Sequence, residues 1–342
     1  MKRLLVLAVL AAVALGTTGL AQALGTAARP ITMLFVPSVK VDVIQEVGPK
    51  IAEALSKLTG LVIRPVIAPD YAAMIEAMIT AKGDTFGIPT TDQYARITNA
   101  NPGVHCRLAA VRFGYHFYFA TIYALREKGY TSLRDLDGKV WAFASRRSTS
   151  GYVLPSGLFK AEGIVPIERE AGTHVAAMIQ ILEGQADFCT GYGSPPLPPA
   201  AARPFLDYIG WRWDYGMDPE LWLWDKATND LVAPALLGEC RDLRWAIATE
   251  VKVYGDIWTL VKKIGIVDTV GPIPNDSIAF AAGFPKDLED KIVEAIEKHI
   301  RTPEGYALWS RPGFYEWTDV VRITDSYYDA YRRLVGLPVP PR

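Results

Sequence analysis

The chain has 342 residues, of which 50% are hydrophobic and 21% charged, with a formal net charge of −1. That balance, with no basic tract, argues against nucleic-acid recognition. A chain this long exceeds what one hydrophobic core usually holds, so two lobes are expected.

The first residues read as a processing signal. Met1-Lys2-Arg3 supplies positive charge, Leu4 to Leu15 is a short apolar core, and Ala21-Gln22-Ala23 is an A-x-A cleavage site. The core is too short for a membrane anchor and runs into Gly16, Thr17, Thr18 and Gly19. Export as a soluble periplasmic protein is expected, with residues 1–23 removed. In that oxidising compartment Cys106, Cys189 and Cys240 allow one disulfide and one spare thiol. Neither their spacing nor that of His105, His116, His174 and His299 matches a metal motif, and no cofactor is expected.

Ile31 to Val36 reads as a strand, and Val43 to Leu58 as a helix with Ile44, Val47, Ile51, Leu55 and Leu58 on one face. Gly60 ends that helix, and Leu61 to Ile67 is strand-like. Asp70 can cap a second helix that turns Ala73, Met74, Ala77 and Met78 inward, and Gly83-Asp84 closes it before the strand Thr85 to Ile88. This alternation predicts parallel α/β architecture.

A second α/β unit opens at Tyr115 to Leu125. Its later pieces are a strand near Lys139 to Ala144, a helix from Val175 to Leu182 and a strand from Ala186 to Thr190. Gly191 to Trp224 carries Ser194-Pro195-Pro196-Leu197-Pro198-Pro199 and four tryptophans (Trp211, Trp213, Trp222 and Trp224), and reads as an insertion. The tryptophans suit packing or the lining of a cleft. Cys240 to Lys263 is helical by pattern, Thr269 to Phe280 is a turn-rich crossing, and Leu288 to Ile300 is an amphipathic helix.

Between the strand ending at Ala144 and a helix beginning near Val153 lies Ser148-Thr149-Ser150-Gly151. One hydroxyl would suffice as a helix cap. Three, with a glycine and the free N–H groups of a helix start, point instead to a tetrahedral oxyanion.

With Tyr152 and Pro155, this cluster resembles the S-T-S-G-[YF]-x-x-P motif of the periplasmic substrate-binding proteins of phosphonate, phosphite and phosphate ABC transporters. Asp70-Tyr71, Tyr94, Gly172-Thr173-His174, Gly184-Gln185-Ala186-Asp187 and Ile273-Pro274-Asn275-Asp276 follow the family's order. The resemblance implies a two-lobed type 2 periplasmic binding fold, with residues 24–114 and 271–342 in the first lobe, 115–270 in the second, and an insertion at about 194–230. It implies a monomer that binds a small oxyanion without turnover and delivers it to a membrane permease. Ser148, Thr149 and Ser150 would cradle the ligand, Tyr71, Tyr94 and His174 would reach it, and Asp276 would meet a substrate amine, a protonated hydroxyl, or merely its own turn. Two departures stand out: Ser145-Arg146-Arg147 replaces the usual acidic lead-in, and the Pro/Trp segment is long. An alternative on the same fold is an arsenite-type sensor that uses Cys106 and signals to a kinase. A third reading is a hydrolase with Ser148 or Ser150 as nucleophile and His174 as base.

Overall fold

The computed structural model describes residues 23–340, so the leader up to Gln22 lies outside the described residues. Strand β1 (Ile31–Phe35), helix α1 (Val41–Thr59), β2 (Ile63–Ile67), α2 (Tyr71–Thr80), β3 (Thr85–Ile88) and α3 (Thr91–Ala100) alternate along the chain. β1 runs parallel to both β2 and β3. Ile44, Val47, Ile51 and Leu55 of α1 are buried, whereas Leu58, in its last turn, is exposed. Gly60 ends α1 with φ 73°, a left-handed cap that costs glycine little. Asp70 caps α2 by accepting the Ala73 N–H at 2.7 Å.

β4 (His105–Val111) precedes a crossing to β5 (Phe117–Leu125). There follow β6 (Val140–Phe143), α4 (Leu154–Glu162), β7 (Ile167–Glu170), α5 (His174–Leu182) and β8 (Phe188–Gly193). The Pro/Trp segment holds the short helix α6 (Arg203–Tyr208) and a ribbon of β9 (Trp224–Asp225) and β10 (Asp230–Leu231). Trp213 is buried against Phe119, with ring centroids 5.3 Å apart, and the Arg126 guanidinium lies 3.6 Å over the Trp224 ring. The helix expected over 240–263 is two, α7 (Leu243–Glu250) and α8 (Ile257–Lys263). Gly255, at φ 106°, breaks the run, and Asp256 restarts it by accepting the Thr259 N–H.

β11 (Ile264–Pro274), β12 (Ser277–Phe280), α9 (Lys286–Ile300), α10 (Pro303–Trp309), β13 (Asp319–Arg322) and α11 (Asp329–Leu334) complete the chain. The first sheet has the order β13-β4-β12-β3-β1-β2 and the second β11-β5-β8-β6-β7. The chain therefore passes between sheets twice, at 112–116 and at 275–276. Residues 271–274, expected in the first lobe, belong to the second sheet, where Ile273 pairs with Tyr118 and Pro274 with Phe117. A small core unites the two halves: Ala95 of α3, Tyr118 and Ala120 of β5, Leu154 of α4, Ile273 of β11 and Tyr331 of α11. All three cysteines are free and buried in separate places, so the disulfide that the composition allows does not form.

Candidate functional site

The chain from Ser148 to Val153 folds as a π-type turn that leads directly into α4. Ser148 caps it, its Oγ accepting the Gly151 N–H at 3.1 Å, while its carbonyl accepts from both Tyr152 and Val153. The N–H groups of Thr149 and Ser150 stand at the helix start, where no intrahelical acceptor exists. The turn is fastened from behind. The Trp141 indole N–H donates to Thr190 Oγ1 at 2.8 Å, and that hydroxyl donates to the Gly151 carbonyl. Tyr152 stacks on Trp141 with centroids 5.1 Å apart. Trp141 is 1% exposed, and its burial stabilises this platform by about 2–3 kcal/mol.

In front of the turn lies a cavity of about 70 Å³, walled by Tyr118 and Tyr192 of the second sheet and by helix starts and connections of both halves. By the ~10–15 Å³ that one water needs, it has room for a handful of heavy atoms. Ser148, Thr149, Ser150, Tyr71, His174 and Asp276 all line it. Tyr71 opens α2, and its carbonyl accepts the Gln93 side-chain amide at 2.9 Å, tying that helix start to α3. Burial raises the pKa of Tyr71 and Tyr118 well above the tyrosine range, so both stay protonated and able to donate.

Tyr94 is not at the cavity. It is wholly buried in the first lobe, its hydroxyl donating to Asp325 at 2.7 Å and accepting the Cys106 N–H at 3.1 Å. The expectation that it reaches the ligand is corrected: the face of α3 that carries it packs into the core, beside Tyr328. Tyr118 on β5 occupies the cavity wall instead. Cys106 shares the Tyr94 environment and does not line the cavity, and burial pushes its thiol up to about 12. The thiolate needed for arsenic is therefore missing from the site.

Asp276 has a partner that sequence reasoning missed. Arg112, at the first crossing, donates from Nη2 to Asp276 Oδ2 at 2.6 Å, from Nη1 to Asn275 Oδ1 at 3.1 Å and from Nε to the Tyr315 carbonyl at 3.0 Å. Burial disfavours its charge, but the Asp276 carboxylate outweighs this and holds the guanidinium pKa above its usual value. Glu316, also missed, lines the same cavity. Arg146 and Arg147 are exposed and take no part in the wall; Arg146 pairs with Glu168 and Tyr152. Ser194 comes from the Pro/Trp segment, but none of that segment's tryptophans line the cavity.

Ser148 Oγ and His174 Nε2 are 3.2 Å apart, the separation of a nucleophile–base pair. Burial pushes the His174 pKa down to about 4, so the ring is neutral and a poor base. Its Nδ1 has no carboxylate to orient it. The pair suits hydrogen bonding to an anion better than attack. Among the described residues, no cluster of side chains is arranged to hold a metal ion.

The two halves meet across the cavity. Thr149 Oγ1 accepts the Asp92 N–H at 3.0 Å, Thr91 Oγ1 donates to the Pro274 carbonyl at 2.5 Å, and Lys40 Nζ lies 3.5 Å from Glu250 Oε2. No helix among the described residues is long and apolar enough to cross a membrane.

The fold is shared with solved structures of distant sequence. The phosphonate ABC transporter binding protein of Pseudomonas aeruginosa matches with a TM-score of 0.61 and 14% identity, over 89% of this chain and 85% of its own. PhnD1 of Prochlorococcus marinus, solved with methylphosphonate, gives 0.62 and 11%, over 89% and 96%. A Xanthomonas citri protein with bound chloride gives 0.60 and 13%, over 90% and 96%. No curated protein matches the chain. The family model for the periplasmic substrate-binding protein of phosphonate ABC transporters matches residues 33–328, and the chain belongs to that family.

Proposed function

We propose that this protein captures a small phosphorus oxyanion (a phosphonate, phosphite or phosphate) between its lobes and hands it to an inner-membrane ABC permease. The observation that carries this reading is the convergence of Ser148, Thr149, Ser150, Tyr71, Tyr118 and His174 on one cavity of about 70 Å³. Fixed neutral donors of this kind replace the water shell of a dehydrated anion, and the helix start adds its N–H groups. The Arg112–Asp276 ion pair engages the carboxylate that was expected to meet a substrate amine. Closure and opening about the two crossings would be the working motion.

Calorimetric titration of the exported chain, refolded to remove carried-over ligand, tests this against phosphate, phosphite, methylphosphonate, aminoethylphosphonate, sulfate and arsenite. Micromolar or tighter binding of one phosphorus oxyanion, lost in the Ser148→Ala, Ser150→Ala double variant, is expected. Silence toward every phosphorus ligand would overturn the reading.

A further inference from the structure

One carboxyl in the cavity is left unexplained by the hydroxyl cradle. Glu316 follows Tyr315, whose carbonyl accepts from Arg112 Nε, in a tight turn where Gly313 has φ 78° and Glu316 itself φ 55°. A non-glycine side chain in the left-handed region is uncommon and costs backbone energy. Here Phe314, Tyr315 and Trp317, all buried, hold the turn that sets Glu316 in the cavity wall.

Two cations lie near Glu316, and each has another carboxylate partner. Arg112 is paired with Asp276, and Arg241 with Glu239 through Nη2 while lying over the Phe113 and Trp245 rings, its Nε left without a partner. From the second lobe Glu250 adds a like charge, itself drawn toward Lys40. An ionised Glu316 opposite a bound oxyanion would set two negative charges together in a site shielded from water. A proton between them turns that repulsion into a charge-assisted hydrogen bond. Phosphorus oxyanions have such a proton near neutrality, with a second pKa of about 6 in a phosphate monoester.

Resting on the oxyanion-binding reading above, we propose that Glu316 makes capture proton-coupled: it accepts the O–H of a singly ionised phosphorus oxyanion and disfavours the dianion. Where ligand and carboxyl are both ionised in free solution, one proton enters from solvent with each ligand and is shared between them. Burial pushes the Glu316 carboxyl up to about 7, against the attraction of Arg241 and Arg112 and a hydrogen bond from the Gly313 N–H, so it titrates in the same range as the ligand. His174, held down at about 4, and the buried tyrosines, held above their usual range, do not change charge between pH 7 and 9.

Calorimetry with methylphosphonate, in buffers of different ionisation enthalpy, counts protons taken up by the wild type. At pH 8.5 about one proton per ligand is expected, with affinity falling about tenfold per pH unit above 7.5. Glu316→Gln should take up none and bind more tightly than wild type at pH 8.5. Glu316→Asn, whose residue tolerates left-handed backbone better, provides the same readout if glutamine unsettles the turn. Zero uptake by the wild type, or uptake undiminished in both variants, overturns the assignment of Glu316 while leaving oxyanion capture intact. Absence of heat from methylphosphonate and phosphate at every pH overturns oxyanion capture and this inference together.

Discussion

Arg112 and Asp276 are 164 positions apart in sequence, yet they form a 2.6 Å ion pair in the wall of the cavity before the Ser148–Gly151 turn. Both side chains are mostly buried, so removing one partner strands the other. Arg112→Met should lower stability by about 3–5 kcal/mol and weaken oxyanion binding, because it leaves Asp276 facing the ligand. Asp276→Asn should also melt earlier but bind the anion at least as tightly, since the freed guanidinium is attractive. Thermal melts and calorimetry on the two variants read both effects; loss of binding in Asp276→Asn would reassign that carboxylate to the ligand.

The exchange of Tyr94 for Tyr118 at the cavity gives a clean contrast. Tyr94→Phe removes a hydroxyl that serves Asp325 and the Cys106 N–H, and should cost about 1–3 kcal/mol of stability with ligand affinity unchanged. Tyr118→Phe should weaken binding severalfold. A titration in which Tyr94→Phe loses the ligand would return Tyr94 to the site.

Thr149 ties the two halves together, because its Oγ1 accepts the Asp92 N–H from the opposite lobe. Thr149→Val leaves that buried donor unpaired, and the closed form should weaken by about 1–3 kcal/mol. Small-angle scattering of the liganded protein should then show a larger radius of gyration than wild type. An unchanged profile and affinity would remove Thr149 from the closing contact.

His174 and Glu316 bias stability in opposite directions over nearly the same pH range. The folded pKa of His174 lies at about 4, below its ordinary 6.5, so the unfolded chain binds the extra proton and stability falls as pH drops through this window. Glu316 rises from its ordinary 4.5 to about 7, so its contribution is full below 4.5 and is lost as pH rises through 7. Each is worth about 3 kcal/mol, and together they nearly cancel. Relative to wild type, His174→Asn should therefore gain stability on acidification from pH 7 to 4.5, and Glu316→Gln should lose it. Chemical denaturation at several pH values, showing the same slope in all three proteins, would disprove this pairing.

All three cysteines are buried, and burial alone pushes the Cys189 thiol above its usual range. A thiol reagent should find none in the native protein and three after denaturation. Two thiols appearing only after reduction would reveal a disulfide.

What sequence made legible was local. The Ser148–Gly151 cluster, the Asp70 cap and the Gly60 stop act within a few residues of themselves, and strand–helix alternation follows from short-range periodicity. The family motif extended that reach to the fold. Arg112 and Glu316 escaped notice because their signal is three-dimensional: a single arginine at a strand end and a single glutamate in a turn look like solvated charges until the crossings bring them together. Tyr94 misled for a related reason, since a tyrosine near a helix start has the same sequence signature whether its face meets a cavity or a core. The break at Gly255 was hidden by apolar spacing that fits both α7 and α8.

The core shared by Ala95, Tyr118, Leu154, Ile273 and Tyr331 has a mechanical consequence. Tyr331 also donates a hydrogen bond to Asp92 at 3.0 Å, so the C-terminal helix is stitched to the start of α3 as well as to the second sheet. Parting the halves along this edge would bare apolar surface, whereas the Lys40–Glu250 edge is held by the Lys40 ammonium, through an ion pair and a hydrogen bond to the Glu250 carbonyl. The protein is therefore sewn along one seam and merely fastened at the other, so it should gape like a purse at the fastened side.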